Sequence, residues 1–260
     1  MLHLYLAAVV LSLSAVLLLE AWAPLHPTAT PPLRRWARNL TLSALAIGAS
    51  LATPLALSVL GPTVVVTGAP WRADMTSLPL AAQWVLTFLV MEAVLYAFHR
   101  LCHRIGWLWR LHAVHHSDSE LDATTAHRHH PLENVASTLV TLPVLALLAP
   151  PWAAVLSYTL LAVAVSTWSH GNLKLPDGLD RALRWLVVTP AYHRVHHSAH
   201  QPQTDSHYAT LLPLFDRLFG TASAMPADGG RSLTMGLDPA RDAALQSVGQ
   251  LLVAPFRRAG

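Results

Sequence analysis

Five apolar runs of membrane-spanning length occupy most of the first two thirds of the chain. They cover residues 3–23, 39–60, 78–98, 132–149 and 151–169. About 20 apolar residues in a helix span the hydrocarbon core of a bilayer, and inside the bilayer every backbone polar group must be bonded within the protein. The runs therefore predict an all-α integral membrane protein with about four to five transmembrane helices.

Composition agrees with a membrane protein and excludes other classes. Of the 260 residues, 53% are hydrophobic and 12% are charged, and mean hydropathy is +0.40. A soluble chain of this size needs more surface charge. The arginines flank apolar runs instead of forming a stripe, so no nucleic-acid partner is expected. The single cysteine, Cys102, excludes an internal disulfide framework, and on a helix it points about 100° away from its neighbour His103.

Shorter signals refine the organisation. The first run ends on Ala21-Trp-Ala23, which resembles a signal-peptide cleavage site, but it lacks a basic start and is long, so an uncleaved anchor is favoured. Pro54 predicts a kink in the second run, and a loop is expected over residues 61–74. Pro150-Pro151 predicts a tight helical hairpin. Residues 240–257 form either an amphipathic surface helix or an ordinary packed helix.

Basic residues predict the orientation in the membrane. Arg34, Arg35 and Arg38 follow the first run, which places the first loop in the cytoplasm and the amino terminus outside. Tracing the later runs back and forth leaves His99 to His130, and everything from His170 onward, on the cytoplasmic side. We therefore expect a cytoplasmic, histidine-rich helical cap. The alanine and arginine content fits a bacterial chain, so a bacterial inner membrane is the expected location.

Eight of the sixteen histidines lie in three short phrases beside the apolar runs. These are His99-Arg-Leu-Cys-His103, His112-Ala-Val-His115-His116 and His193-Arg-Val-His196-His197. Imidazole suits zinc, copper, iron and nickel, and eight imidazoles exceed the needs of one four-coordinate metal. Residues three or four apart share a helix face, whereas adjacent residues diverge by about 100°. Each HxxHH phrase therefore suits a pair of metals, with one histidine of the doublet aimed at each.

The stretch from His99 to Thr221 resembles the fatty acid hydroxylase superfamily, which includes sterol desaturases. The similarity is carried by HRLCH, RLHAVHHSD, RHHPLE (residues 128–133), SHGN (169–172), TPAYHRVHHS (189–198) and FDRLFGT (215–221). The resemblance implies an integral membrane, O2-dependent oxidase with two non-haem irons held by histidines. It also implies three parts: N-terminal transmembrane helices with a loop over 1–77, a catalytic domain over 78–222 and a C-terminal tail over 223–260.

The resemblance implies which histidines bind metal. The implied ligands are His99, His103, His112, His115, His116, His193, His196 and His197, with His170 as a ninth and His130 as a tenth or a close neighbour of the ligands. His127 and His129 stand where the family has apolar residues and are expected to be non-ligands. His3, His26 and His200 lie outside the motifs. The chain departs from the family at His207-Tyr-Ala209, for the usual Asn-Tyr-Gly, and at Phe215, for the usual Trp; His207 is either an extra donor near the site or a surface residue.

Several polar residues are candidates to hold the ligating rings in place, since a metal-bound histidine normally donates its other N–H to an oxygen. They are Asp118, Asp122, Glu133, Asn134, Asn172, Asp205 and Asp216. Glu133 is the best placed, three residues after His130. Each has an equal alternative as a helix cap or surface charge, and no catalytic residue beyond the metal ligands is assigned.

The implied reaction uses O2 at two irons to hydroxylate or desaturate a C–H bond of a lipid. Electrons must come from an external ferredoxin- or cytochrome-type partner, because the chain has no cysteine cluster and no GxGxxG fingerprint. The alternatives are a zinc-dependent hydrolase and a membrane metal-binding or transport protein. A transporter needs ionisable residues along the spans, and only Glu20 and Glu92 stand out; the alternative expectation is that Glu92 lines the site. The substrate stays open among sterols, carotenoids, fatty acyl chains and alkyl glycerols.

Overall fold

The part of the protein that the structure describes consists of helices and the loops that connect them. The computed structural model describes residues 2–27, 32–60, 75–237 and 246–257, apart from the side chains of 55–60 and 76. The helices are α1 (Leu2–Trp22), α2 (Pro32–Leu60), α3 (Leu80–Arg104), α4 (Gly106–His116), α5 (Pro131–Leu148), α6 (Trp152–Ser169), α7 (Asp177–Leu183), α8 (Pro190–His196), α9 (Gln201–Thr204), α10 (Leu214–Leu218) and α11 (Val248–Val253), with 3-10 turns at Met75–Ser77, Ala123–His127 and Ala254–Phe256. Across these ranges β-structure is limited to two isolated bridges, Pro24–Leu173 and Ser198–Met235. The predicted all-α fold is confirmed.

Four helices, α1, α3, α5 and α6, are long and apolar enough to cross a membrane. Their apolar side chains face outward; Leu11 and Leu18 on α1 are 70% and 71% exposed, as expected for positions that contact lipid. These helices identify an integral membrane protein, and the four candidate spans among the described residues agree with the predicted four to five transmembrane helices.

The second apolar run, residues 39–60, belongs to a longer helix than predicted. α2 begins at Pro32 and continues through Pro54 to Leu60. Arg34, Arg35 and Arg38 therefore lie on its first turns, and the sequence prediction that they sit in a loop is wrong. The predicted loop over residues 61–74 lies outside the described residues.

Buried ion pairs explain why α2 extends over the arginines. The Arg35 side chain is 1% exposed, and its guanidinium lies 3.0 Å from a carboxylate oxygen of Glu120 and 3.0 Å from one of Asp122. Asp122 in turn caps the 3-10 turn Ala123–His127 by accepting from the backbone N–H of Thr124. Because Arg35 pairs with Glu120 and Asp122, it holds the segment after α4 against the start of α2.

The α5–α6 hairpin opens into a cleft. Ala149 ends α5 in a left-handed conformation with φ 43°, and the chain turns through the predicted Pro150-Pro151 into α6. The two helices then part: α5 packs mainly along α2, and α6 mainly along α1, while α3 contacts both. The bundle is therefore two helix pairs joined by α3, with space between the pairs.

The described part of the carboxy-terminal segment is a packed helix. In α11, Leu251 is buried against Leu42 of α2 and Val114 of α4. Of the two alternatives for residues 240–257, the packed helix is found over Val248–Val253; residues 240–245 lie outside the described residues.

Candidate metal centre

Nine histidines converge at one end of the bundle, where α3 and α6 end and α5 begins. They form two groups, within each of which the ring nitrogens lie within 4.8 Å of one another. The first group is His99, His103, His112, His116 and His196, and the second is His115, His170, His193 and His197. Two separate sets of this size match two metal ions better than one.

Helix geometry assigns the neighbouring histidines to different groups. On α4, His115 belongs to the second group and His116 to the first. At the end of α8, His196 belongs to the first group and His197 to the second. This division agrees with the divergence of about 100° between adjacent residues of a helix. His170 joins the second group from the carboxy-terminal cap of α6.

In the first group, hydrogen bonds aim bare nitrogens at the centre. Nδ1 of His99 donates to Tyr208 O at 2.8 Å, and Nδ1 of His196 donates to Ser206 O at 2.7 Å. Nδ1 of His112 lies 2.8 Å from Glu133 Oε1. A neutral imidazole has one N–H, so Nε2 of each ring carries a lone pair.

These lone pairs face one another. Nε2 of His99 and Nε2 of His112 are 3.1 Å apart, and Nε2 of His196 is buried without a hydrogen-bond partner. Nδ1 of His103 lies 3.2 Å from Asp205 Oδ1, which leaves its Nε2 equally bare and unpartnered. Facing lone pairs repel, and buried acceptors without a donor are unfavourable. A cation between the rings satisfies all of them.

The second group has the same arrangement around His170. Its Nδ1 donates to Ser166 O at 2.7 Å, so Nε2 carries the lone pair. That Nε2 lies 3.1, 2.9 and 3.1 Å from Nε2 of His115, His193 and His197 respectively. The lone pair on Nε2 of His170 cannot bond to three other rings at once, whereas one metal ion can accept the lone pairs of all four rings.

The electrostatic environment keeps these rings neutral. Burial lowers the pKa of His170 to about 3. Burial, and then the neighbouring histidines, place the pKa of His115, His116, His193, His196 and His197 well below its usual value. Metals bind the neutral imidazole, so the donor set is ready for a metal at neutral pH. The nine residues therefore fit two metal ions that favour imidazole ligands, such as zinc, copper, iron or nickel.

Two of the seven polar candidates touch the ligand rings. Glu133 accepts from His112 and also lies 3.2 Å from Nδ1 of His129, and Asp205 contacts His103. The other candidates have different roles among the described residues. Asp118 and Asp122 pair with arginines, Asn172 bonds His26, Asn134 lines a cavity, and Asp216 accepts from the backbone N–H groups of Tyr208 and Ala209.

His130 lies outside both groups. Its Nδ1 accepts from Leu132 N–H as the cap of α5, and its Nε2 lies 3.2 Å from Leu252 O. The structure therefore does not bring this predicted ligand to the other nine. His127 also stands apart, with Nε2 3.2 Å from Thr167 Oγ1.

Two further histidines lie near the groups without joining them. The ring of His129 stacks on that of His115, with centroids 4.5 Å apart. His207, left open from the sequence, adopts a left-handed conformation with φ 57° and bonds Ser223. It packs on Tyr192 instead of pointing at a metal group.

Sequence reasoning missed three backbone oxygens and a tyrosine. The carbonyls of Ser166, Ser206 and Tyr208 orient ligand rings, and no residue type signals such a role. The Tyr208 ring lies 5.1 Å from that of His103, with its hydroxyl buried and unpartnered among the described residues.

Glu92 does not line the site: it accepts from Tyr158 OH and from three successive backbone N–H groups at residues 210–212. It thereby fixes the loop that carries Tyr208.

A chain of three adjoining cavities leads from the histidines into the bundle. The first, about 280 Å³, is lined by His99, His112, His170 and His193. A second of about 340 Å³ and a third of about 530 Å³ continue between the two helix pairs. Asn134 lines all three, so the cavities share a wall. An elongated molecule can reach the histidines from the membrane-facing cleft.

Comparisons with known proteins agree with this arrangement. The model of the fatty acid hydroxylase family matches residues 84–221. The chain is 34% identical over 154 residues to alkylglycerol monooxygenase from Xenopus tropicalis, covering 58% of this chain and 31% of that protein. It is 29% identical over 182 residues to an ornithine lipid hydroxylase from Rhizobium tropici, covering 70% and 53%, and 30% identical over 167 residues to a very-long-chain aldehyde decarbonylase from Oryza sativa, covering 61% and 26%. The matched part spans about a third to a half of the first two relatives. No solved structure matches the chain.

Proposed function

The chain belongs to the fatty acid hydroxylase family, and from that premise we propose that it is a membrane-bound di-iron oxidoreductase that uses O2 to hydroxylate a C–H bond of a lipid. Hydroxylation is preferred to desaturation because two of the relatives are named as a monooxygenase and a hydroxylase. The observation that carries the proposal is the division of nine histidines, seven of them buried, into two groups beside a cleft that opens between membrane helices.

The proposed ligands follow the two groups. His99, His103, His112, His116 and His196 hold one metal, and His115, His170, His193 and His197 hold the other. His130 is left out, because the cap of α5 uses its Nδ1. When bound, two irons supply the activation of O2 that an unactivated C–H bond requires.

The chain's own residues prepare that chemistry. Glu133 and the carbonyls of Ser206 and Tyr208 accept the Nδ1–H groups of the ligand rings they contact. Nε2 of each of these rings, those of His112, His196 and His99, therefore donates its lone pair to the metal. The buried setting excludes water from the reacting centre. The cleft holds the lipid chain, and its 280 Å³ inner cavity places one part of the lipid against His99 and His193.

Iron is proposed over zinc on family grounds, because imidazole ligation alone permits several metals. A transporter is not favoured. The acids of the described spans are engaged within the protein: Glu92 with backbone N–H groups of residues 210–212, Glu20 with those of Ala123 and Asn172, and Glu133 with His112 and His129. Among the described residues they do not form a path through the membrane.

The side of the membrane and the electron source belong to the same proposal. Arg100, Arg104 and Arg110 flank the histidine end of the bundle, which supports a cytoplasmic site by the positive-inside rule. We propose that an external ferredoxin- or cytochrome-type protein delivers electrons there.

The test combines metal content with lipid chemistry. The purified protein is expected to hold about two irons per chain and to add one oxygen atom from ¹⁸O2 to a membrane lipid of the expressing cell. His116→Ala and His197→Ala abolish the product, whereas His200→Ala, which removes an exposed histidine outside both groups, retains it. One zinc per chain, or a product unaffected by His116→Ala and His197→Ala, contradicts the proposal.

A further inference from the structure

Arg194 is a buried cation that pairs with no carboxylate among the described residues. It lies on α8, next to the ligand His193, and is 5% exposed. In the described part of the chain its one hydrogen bond is a long one, from Nη2 to Leu173 O at 3.4 Å, and no carboxylate oxygen lies within 4.0 Å. Burying a charge is strongly unfavourable unless it is paired. This guanidinium is therefore available to bind an anion.

The other two deeply buried arginines differ from it. Arg35 lies 3.0 Å from carboxylates of Glu120 and Asp122. Arg128 donates to Val114 O at 2.8 Å and to side-chain oxygens of Asn39 and Ser117. Both have acceptor oxygens at 3.1 Å or less, whereas the hydrogen bond of Arg194 among the described residues is 3.4 Å long.

Two cavities meet at Arg194. One of about 470 Å³ and one of about 560 Å³ share Arg194 and Arg231 in their walls. The larger cavity is also lined by four further cations, Lys174, Arg181, Arg184 and Arg217. Each is far larger than a single ion needs, so the space accommodates an anionic group together with the molecule that carries it.

The two acids that line the wall of the larger cavity are already paired. In the larger cavity Asp177 lies 3.2 Å from Arg231 and Asp180 lies 2.9 Å from Arg184. Six cations therefore face two acids in that wall, and the excess positive charge has no counterpart within it.

The cavities lie near the membrane boundary. Their walls include Leu25 and Leu173, which directly follow the spanning helices α1 and α6 and are joined through the Pro24–Leu173 bridge. Trp185, at the rim, is 68% exposed, and exposed Trp is typical of the membrane–water interface. This is the level at which lipid phosphates sit.

We propose that Arg194 is the centre of a binding site for a phosphate-bearing ligand, separate from the metal groups and on a different face of α8. The guanidinium offers a planar fork of donors that matches phosphate oxygens, and Lys174 and Arg231 add charge around it. The phosphate belongs either to a lipid headgroup or to a soluble molecule, and both present the same chemistry to Arg194.

The test uses the full-length protein, with its metal, in a phosphate-free maltoside detergent. Binding of three probes is measured by thermophoresis: inorganic phosphate, glycerol 3-phosphate and dioctanoyl phosphatidic acid, with dioctanoylglycerol as the uncharged control. Saturable binding of a phosphate probe but not of dioctanoylglycerol is expected. Preference for phosphatidic acid identifies a lipid headgroup as the source, and equal or tighter binding of glycerol 3-phosphate identifies a soluble ligand.

Variants locate the site. Arg194→Gln weakens binding by about tenfold or more, as loss of a charge-assisted pair predicts, and Arg194→Lys weakens it less. Arg34→Gln, which removes an exposed cation from α2, leaves binding unchanged. If Arg194→Gln does not fold, Lys174→Gln, an exposed side chain of the same wall, still lowers affinity. Absence of saturable binding, or equal affinities for the folded Arg194, Lys174 and Arg34 variants, overturns the proposal.

Discussion

Glu133 sets the direction of His112: its Oε1 lies 2.8 Å from Nδ1 of that ring, and the opposite nitrogen then faces Nε2 of His99 at 3.1 Å. Glu133→Gln replaces the carboxylate with a group whose N–H can turn toward the ring. We expect metal affinity to fall by about 10- to 100-fold, the range for loss of such a partner. Metal titration of the stripped protein measures this.

The matched control is Asp177→Asn, which changes an acid whose side chain is 77% exposed and lies outside both histidine groups. It should leave metal affinity unchanged. If Glu133→Gln and Asp177→Asn bind metal equally well, Glu133 does not orient His112.

The division of the histidine doublets predicts different metal losses from neighbouring residues. His116→Ala removes a ligand of the first group, and His115→Ala removes one of the second. Each substitution is expected to lower the metal content from about two ions to nearer one per chain. The ion that remains is held by the second group in the His116→Ala variant and by the first group in the His115→Ala variant. Combining His116→Ala with His196→Ala should spare the second ion, whereas His115→Ala with His196→Ala should weaken both sites. If the two double variants lose equal amounts of metal, the metals are not held by separate groups of histidines.

Much of this pattern is local and was predictable from the sequence. The spacing of His112, His115 and His116 on one helix decides which rings share a face, whatever surrounds the helix. The apolar runs likewise predicted the membrane helices, because lipid contact demands length and hydrophobicity.

Tertiary contacts decided what the sequence could not. His130 stands in a motif but caps α5, and only the packing of the carboxy-terminal segment brings Leu252 O to its other nitrogen. Arg35 carries charge, so hydropathy placed it outside the apolar run of residues 39–60; its partners Glu120 and Asp122 lie some 85 residues away along the chain. Partners at that separation leave no local signal.

Acid should destabilise the metal-free protein below about pH 6.5. The pKa of His170 is lowered to about 3, and those of His115 and His193 lie well below their usual value, because burial disfavours the charged ring. The unfolded chain therefore binds more protons than the folded one as pH falls below 6.5. The stability due to these rings is complete above the unfolded value and is lost toward lower pH, by about 1.4 kcal/mol per pH unit for each such histidine.

Thermal unfolding of metal-free protein between pH 8 and pH 5 measures this slope. His129, whose pKa is raised by Glu133, acts in the opposite sense but is a single group. The His115→Phe variant, which cannot take up the proton, should show a shallower decline. A melting temperature that rises on acidification contradicts the neutral, buried state of the rings.

Buried ion pairs should make Arg35 important for folding. Arg35→Leu leaves the carboxylates of Glu120 and Asp122 without their cation beside α2. Breaking a buried pair in this way typically costs about 3–5 kcal/mol, which should lower the melting temperature and the yield of folded protein. Arg34→Leu, on the neighbouring exposed position, serves as the control. Equal melting temperatures for the two variants would show that the pairs with Arg35 contribute no stability.

The polar lining of the cleft predicts a preference among lipids. In the described part of the chain, the side chains of Asn134, Ser137 and Ser166 make no hydrogen bond, yet all three face the inner cavity beside the histidines. An unpaired polar group in a membrane protein is unfavourable, so a substrate with an uncharged hydroxyl, ether or amide near the oxidised carbon fits better than plain hydrocarbon. Asn134→Leu, nearly equal in volume, should lower kcat/KM for a hexadecyl ether lipid, used as a probe that carries such a group, by about 2- to 10-fold, the range for one hydrogen bond.

Comparison with a substrate of equal chain length but without the polar group isolates the effect. Turnover of hexadecane should be unchanged or improved by Asn134→Leu, because only apolar contacts remain. Thr141→Val provides the matched control, since the Thr141 hydroxyl is bonded within α5 to Ser137 O and lines none of the three cavities. Equal losses on the ether lipid and on hexadecane mean that Asn134 shapes the cavity without recognising oxygen, and loss of all turnover with normal metal content places it in the reaction itself.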